Sequence, residues 1–158
     1  MKVARLRDAL DHVGASAIGN GTRLVPAGTI LIVVRGMILA HSFPVTRAER
    51  PLAFNQDMRA LVVKDEIDSE FVLWWLIANE ALLLSKTSES THGTKRMPTE
   101  DLFAVKISLP QIAEQRAIAL ILSDLDAELA ALQQRLAKTR DLKQGMMQEL
   151  LTGRTRLV

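Results

Sequence analysis

LPQIAEQRAIALIL, residues 109–122, joins two kinds of chain. Pro110 denies a backbone donor and closes what precedes it, and an Ala, Leu and Ile rich run follows. Ile118, Leu122, Leu125, Leu129, Leu132 and Leu136 then recur at spacings of 4, 3, 4, 3 and 4, the seam of a coiled coil. Beyond them the stripe passes to Leu142, Met146 and Leu150, a drift expected where a heptad phase is interrupted. Gly153 is the natural stop. A helix from about 111 to 151 would be roughly 60 Å long at about 1.5 Å per residue. Left in water, its apolar edge would forfeit about 1.5–3 kcal/mol for each large aliphatic side chain. The expectation is a rod attached to a globule, with an edge that needs a second helix. The alternative is a helical hairpin folded over the domain, although no Gly or Pro lies between Pro110 and Gly145 to turn it.

Upstream, the pattern is that of a small mixed domain. Val3, Leu6, Leu10 and Val13 have helical spacing up to Gly14. Ser16 to Gly28 reads as loop, and TILIVV, residues 29–34, as a buried strand. A second strand is expected within MILAHSFPV and a third over Arg59–Val63. Asp68 and Ser69 can cap a buried helix over about 69–85 that carries Trp74 and Trp75. Ser85 to Thr99 is polar and reads as an exposed loop. Thr99 can cap one turn through Leu102, and AVKISLP reads as a closing strand. The expected fold class is α+β: a small mixed domain over 1–109, a long coiled-coil helix over 110–153 and a tail over 154–158.

Composition narrows the function classes. The 158 residues contain no cysteine, which excludes disulfides and thiolate metal sites and suits a reducing cytoplasm. No apolar run reaches the length of a membrane span and no signal pattern opens the chain, so a soluble cytoplasmic protein is expected. Net charge is only +2. Its distribution is uneven: residues 1–64 hold nine basic and four acidic side chains, residues 65–105 three and eight, and residues 106–158 eight and six. Asp124, Asp126 and Glu128 have no histidine or loop glycine to complete a metal cage and read as a solvated face. No metal and no cofactor are expected.

Two separated motifs carry a specific resemblance. Leu109, Pro110, Glu114, Gln115 and Ile118, followed by Leu142, Lys143, Met147, Leu150, Leu151, Thr152 and Gly153, resemble the opening and close of the spacer helix in specificity subunits of type I restriction-modification enzymes. VPAGTILIVVRG, FNQDMRAL and HGTKRMPTEDL look like segments of a target recognition domain of that family. The resemblance implies a half-length, non-catalytic DNA-recognition component: one recognition domain and one helix where a full subunit has two of each. Its N-terminus is expected to be short for such a domain. Two copies pairing antiparallel helices about a two-fold axis would rebuild the full arrangement and read a split, inverted DNA site. The partners implied are DNA, a second copy, the methyltransferase subunit and, through it, the restriction subunit. The alternative is a structural or regulatory half-subunit that joins the complex without reading DNA.

The candidate DNA contacts are Arg35 and Gly36 after the first strand, Arg47 beyond it, and the loop residues Ser90, Thr91, His92, Gly93, Thr94, Lys95 and Arg96. Arginine can fork onto guanine or meet a phosphate, and hydroxyl, imidazole and ammonium groups around a glycine suit groove and backbone contacts. Each has a plain reading as solvated surface. Asn55-Gln56-Asp57 is not read as catalytic, since neither a cofactor loop nor a carboxylate cluster accompanies it. Trp74 and Trp75, without basic neighbours, read as core rather than base-stacking platforms.

Overall fold

The computed structural model describes residues 4–9, 11–89 and 93–157. Six short strands occupy the first half: β1 (Arg5–Leu6), β2 (Arg23–Val25), β3 (Ile30–Val33), β4 (Val45–Ala48), β5 (Leu52–Phe54) and β6 (Met58–Leu61). β3 is the run foreseen from its β-branched residues. It lies inside a four-stranded sheet of order β1-β4-β3-β6, antiparallel except for the β1–β4 pair. β2 and β5 form a separate antiparallel ribbon.

The chain then turns helical through α1 (Ser69–Ala78) and α2 (Glu80–Ser85), returns as the ribbon β7 (Ser88–Glu89) and β8 (Lys95–Arg96), and makes one turn, α3 (Thr99–Phe103). Ile30 and Ile32 of β3, Val45 of β4 and Phe71, Val72, Leu73 and Leu76 of α1 form the core, joined by Leu83, Met97 and Leu102. Trp74 and Trp75 are half-buried against it, in keeping with the core reading. The last helix, α4 (Ile112–Leu151), runs unbroken for 40 residues. Gly153, at φ 73°, follows it, and its N–H donates to the Leu150 carbonyl.

The chain divides into two compact units, Met1–Ala119 and Leu120–Val158. The opening turns of α4 therefore belong to the first. Gln115 explains why. Its side chain is buried; Oε1 accepts from the Asp68 N–H at 2.9 Å and Nε2 donates to the Pro110 carbonyl at 2.8 Å. Asp68 is itself the N-cap of α1, its carboxylate accepting from the Phe71 N–H at 2.9 Å. One amide thus joins the proline junction, the start of α4 and the start of α1.

Several local expectations give way to tertiary pairing. Instead of a helix over Val3–Val13, residues 5–6 pair in parallel with β4, where the N–H groups of Arg47 and Glu49 donate to the carbonyls of Ala4 and Leu6; Val3 and Leu10 lie outside the described residues. The Ser16–Gly28 stretch contains β2, because β5 offers it a ladder. Within MILAHSFPV, Met37–Ala40 is a 3₁₀ turn, and β4 starts only at Val45.

The helix over 69–85 is two helices. Asn79 interrupts it, with its backbone N–H and side-chain Nδ2 both bonded to the Trp75 carbonyl. Pro98, not Thr99, stands at the cap position of α3. AVKISLP is not a strand: Val105 and Ile107 pack against the core, but no neighbouring strand pairs with that segment.

The Gln115 amide yields a stability prediction. Gln115→Leu takes these partners from the part-buried Asp68 N–H and Pro110 carbonyl and should cost about 1–3 kcal/mol, less than two fully buried orphaned groups would. Urea denaturation should show this as a lower midpoint at unchanged slope. Gln115→Glu, which keeps the acceptor for Asp68 but faces the Pro110 carbonyl with an oxygen, should fall between the two.

Candidate nucleic-acid interface

Arg35 and Gly36 lie just beyond the C-terminal end of β3. Gly36 has φ 139°, a value that disfavours any side chain, and its N–H donates to the Lys95 carbonyl at 3.0 Å. Arg35 bridges Arg96 in antiparallel fashion, and the Met97 N–H donates to the Val34 carbonyl at 2.8 Å. The β7–β8 ribbon is in this way stitched to the end of the sheet. Four predicted residues, Arg35, Gly36, Lys95 and Arg96, are brought together although about 60 residues separate them in sequence.

The same end of the sheet carries two residues not foreseen as site residues, Gln56 and Arg59. They line a cavity of about 350 Å³ with Val34, Arg35, Arg96, Thr99 and one carboxylate residue, Glu100. Arg59 pairs with Ile32 across the β3–β6 ladder and is exposed on the edge strand. Among the described residues, neither Arg59 nor Arg96 has a carboxylate within ion-pair distance, and Arg35 has only Asp57 at 3.8 Å. In sequence, Arg59 reads only as a cation in a strand, because the register that sets it beside residues 35 and 96 is long-range.

The hairpin connection is partly visible. Ser88 pairs with Arg96 and Glu89 with Lys95, so residues 90–94 connect the strands. Ser90, Thr91 and His92 lie outside the described residues. Gly93 adopts φ 79°, and Thr94 is half-buried. The Lys95 ammonium, 2.8 Å from Glu89, holds that carboxyl below the usual carboxylate range.

Arg47 does not join this group. It pairs with Ile30 at the opposite end of β3, roughly 16 Å from Arg35 at about 3.3 Å per strand residue. Its Nε donates to Ser69 Oγ at 3.0 Å and its guanidinium meets Glu70 at 3.1 Å. It lines a cavity of about 760 Å³ in which Arg7 faces Glu49 and Arg50 faces Asp8. Each of these three arginines has a carboxylate within ion-pair distance.

In the second unit, Leu122, Leu125, Leu129, Leu132 and Leu136 are between 38% and 58% exposed, and Leu142 and Met146 are exposed as well. Leu150 is half-buried. Ile118 belongs to the first unit and packs against its core. No helix among the described residues is long and apolar enough to cross a membrane. Among the described residues no cluster of His, Cys, Asp or Glu could hold a metal ion.

Known proteins resemble this arrangement. Residues 18–139 match the family described as type I restriction modification DNA specificity domain. The chain is 27% identical over 135 residues to the EcoR124I/EcoR124II specificity subunit of Escherichia coli, covering 85% of this chain and 33% of that protein. A chain from a structure of complex assembly and conformational transition of the type I R-M system superposes at TM-score 0.61 and 25% identity, over 80% of this chain and 31% of the other. The HsdS subunit from Thermoanaerobacter tengcongensis has the same fold at TM-score 0.57 and 23% identity, over 80% of this chain and 30% of its own. The chain spans about a third of the length of these relatives. With a family match across most of its length and an α+β fold ending in a long helix, the chain belongs to the type I restriction-modification DNA specificity family.

Proposed function

We propose that the chain is a non-catalytic DNA-recognition component of a type I restriction-modification assembly, with methyl transfer and cleavage carried by partner subunits. The observation that carries this reading is the convergence of Arg35, Arg59 and Arg96 on one cavity beside a two-stranded ribbon, two of the three without a carboxylate partner. The Arg59 and Arg96 guanidinium groups, without an ion-pair partner among the described residues, keep their field for an external anion, whereas that of Arg47 is held by Ser69 and Glu70. A β-ribbon is also of a size to enter the major groove. Arg35, Gly36, Lys95, Arg96 and the connecting residues 90–94 are assigned to DNA, and Arg47 to the fold.

The recognition domain in this reading extends from the N-terminus to the proline junction, and the helix after it is the spacer. α4 serves as the pairing element: Leu122, Leu125, Leu129, Leu132 and Leu136 are exposed at heptad spacing along one edge. Two copies related by a two-fold axis would bury the same edge on each and place two recognition domains on one duplex, which then reads a split inverted repeat. The relatives, about three times as long, leave room for two such units in one chain.

Two experiments test the reading. Light scattering on the purified chain should give a dimer, and replacing Leu125 and Leu132 together by Asp should give a monomer whose recognition domain retains its circular dichroism; a monomeric wild type removes the pairing. Selection from a random-sequence duplex pool should enrich a split inverted repeat. Arg96→Ala should weaken binding to the enriched sequence by roughly tenfold, as expected for about 1–3 kcal/mol from one good arginine contact. Enrichment of nothing would favour a regulatory half-subunit that joins the complex without reading DNA.

A further inference from the structure

The turn between β5 and β6 is held more tightly than its length requires. The Asp57 N–H donates to Asn55 Oδ1 at 3.1 Å and the Met58 N–H to the Asn55 carbonyl at 3.2 Å, which closes the turn on itself. The Asp57 carbonyl then accepts from the N–H groups of both Val34 and Arg35, at 2.8 and 3.2 Å, and fixes the turn to the end of β3. Asn55 and Asp57 are consumed in these contacts. Gln56, between them, is exposed, and neither its amide nor its backbone N–H has a partner among the described residues.

Gln56 and Arg59 also form the wall shared by two cavities. One is the Arg35–Arg96 cavity already described; the other, about 380 Å³, is lined on its far side by Gly19, Gly21, Thr22 and Arg23. Arg23 is exposed and has no carboxylate partner among the described residues. A strip of donors therefore runs past the base of the ribbon, with Gln56 and Arg59 at its middle.

We propose that this pinned turn and Arg59 form a phosphate clamp that holds the DNA backbone without regard to sequence, leaving base reading to the β7–β8 ribbon and its connecting residues. The inference rests on the proposed DNA-binding function and divides its labour. Reach separates the two roles: base edges lie at the floor of a major groove about 8.5 Å deep, into which a ribbon fits, while a two-residue turn on strand ends meets the backbone at the groove's rim. Chemistry agrees with reach. Gln56 offers amide and backbone N–H donors and Arg59 a guanidinium, a set suited to phosphate oxygens, and a rigid tip spends no ordering entropy on a contact every sequence provides.

The test uses the full chain, a duplex enriched by the wild type from a random pool, and a scrambled duplex of the same composition, titrated over a range of salt. Arg59→Gln should weaken binding to both duplexes by the same factor, about five- to twentyfold, and flatten the slope of log K against log salt by about 0.9. Gln56→Ala should weaken both equally with less change in slope, and Arg59→Lys should restore the slope. Both positions are exposed, so circular dichroism melting should stay at the wild-type value. A fall in the ratio between the two duplexes, or an unchanged affinity for both, overturns the clamp while leaving DNA recognition intact. A wild-type chain that binds neither duplex removes the function and the clamp together.

Discussion

The structure depends on a single buried amide. At Pro110 the chain must leave a segment with no strand partner and enter a 40-residue helix whose first N–H groups have no intrahelical acceptors. Gln115, in the first turn of α4, ties that entry to the domain: its Nε2 donates to the Pro110 carbonyl and its Oε1 accepts from the Asp68 N–H. Asp68 in turn caps α1, the helix whose Phe71, Leu73 and Leu76 fill the core. A change at the junction is therefore transmitted to the start of the central helix. A buried amide with both ends satisfied also specifies geometry more sharply than an apolar contact, since its donor and acceptor cannot be exchanged without loss.

A second constraint is charge pairing. The domain contains many arginines, and what separates a structural from a ligand-binding one is its nearest carboxylate. Arg5 and Arg47 share Glu70, fixing β1 and β4 to the first turn of α1. Arg7 and Arg50 are likewise occupied. At the other end of the sheet Arg59 and Arg96 have no ion pair among the described residues, and Arg35 stands 3.8 Å from Asp57, as Arg50 does from Asp8.

Legibility in the sequence followed the range of the interactions. The run Ile30–Val33, the caps around Asp68, the stop at Gly153 and the uninterrupted helix after Pro110 all rest on local patterns, and all are found where those patterns put them. The same holds for Arg35 and Gly36, whose place at a strand end follows from neighbours in sequence. By contrast, β1, β2 and β5 exist only because distant strands offer them ladders. Gln115 looked like one member of a motif, and its buried bridging role needed Asp68 nearby in space.

By itself, then, the sequence determined the period of the last helix, its apolar edge and the family to which the two end motifs point, because period and motif spacing are properties of consecutive residues. Tertiary structure alone decided which arginines stand beside a carboxylate, that residues 35, 59 and 96 share a cavity, and that Arg47 meets Ser69 and Glu70. The physical reason is that a guanidinium's role depends on the carboxylates within a few ångströms. Those distances are set by strand register and helix docking, which no short stretch of sequence contains.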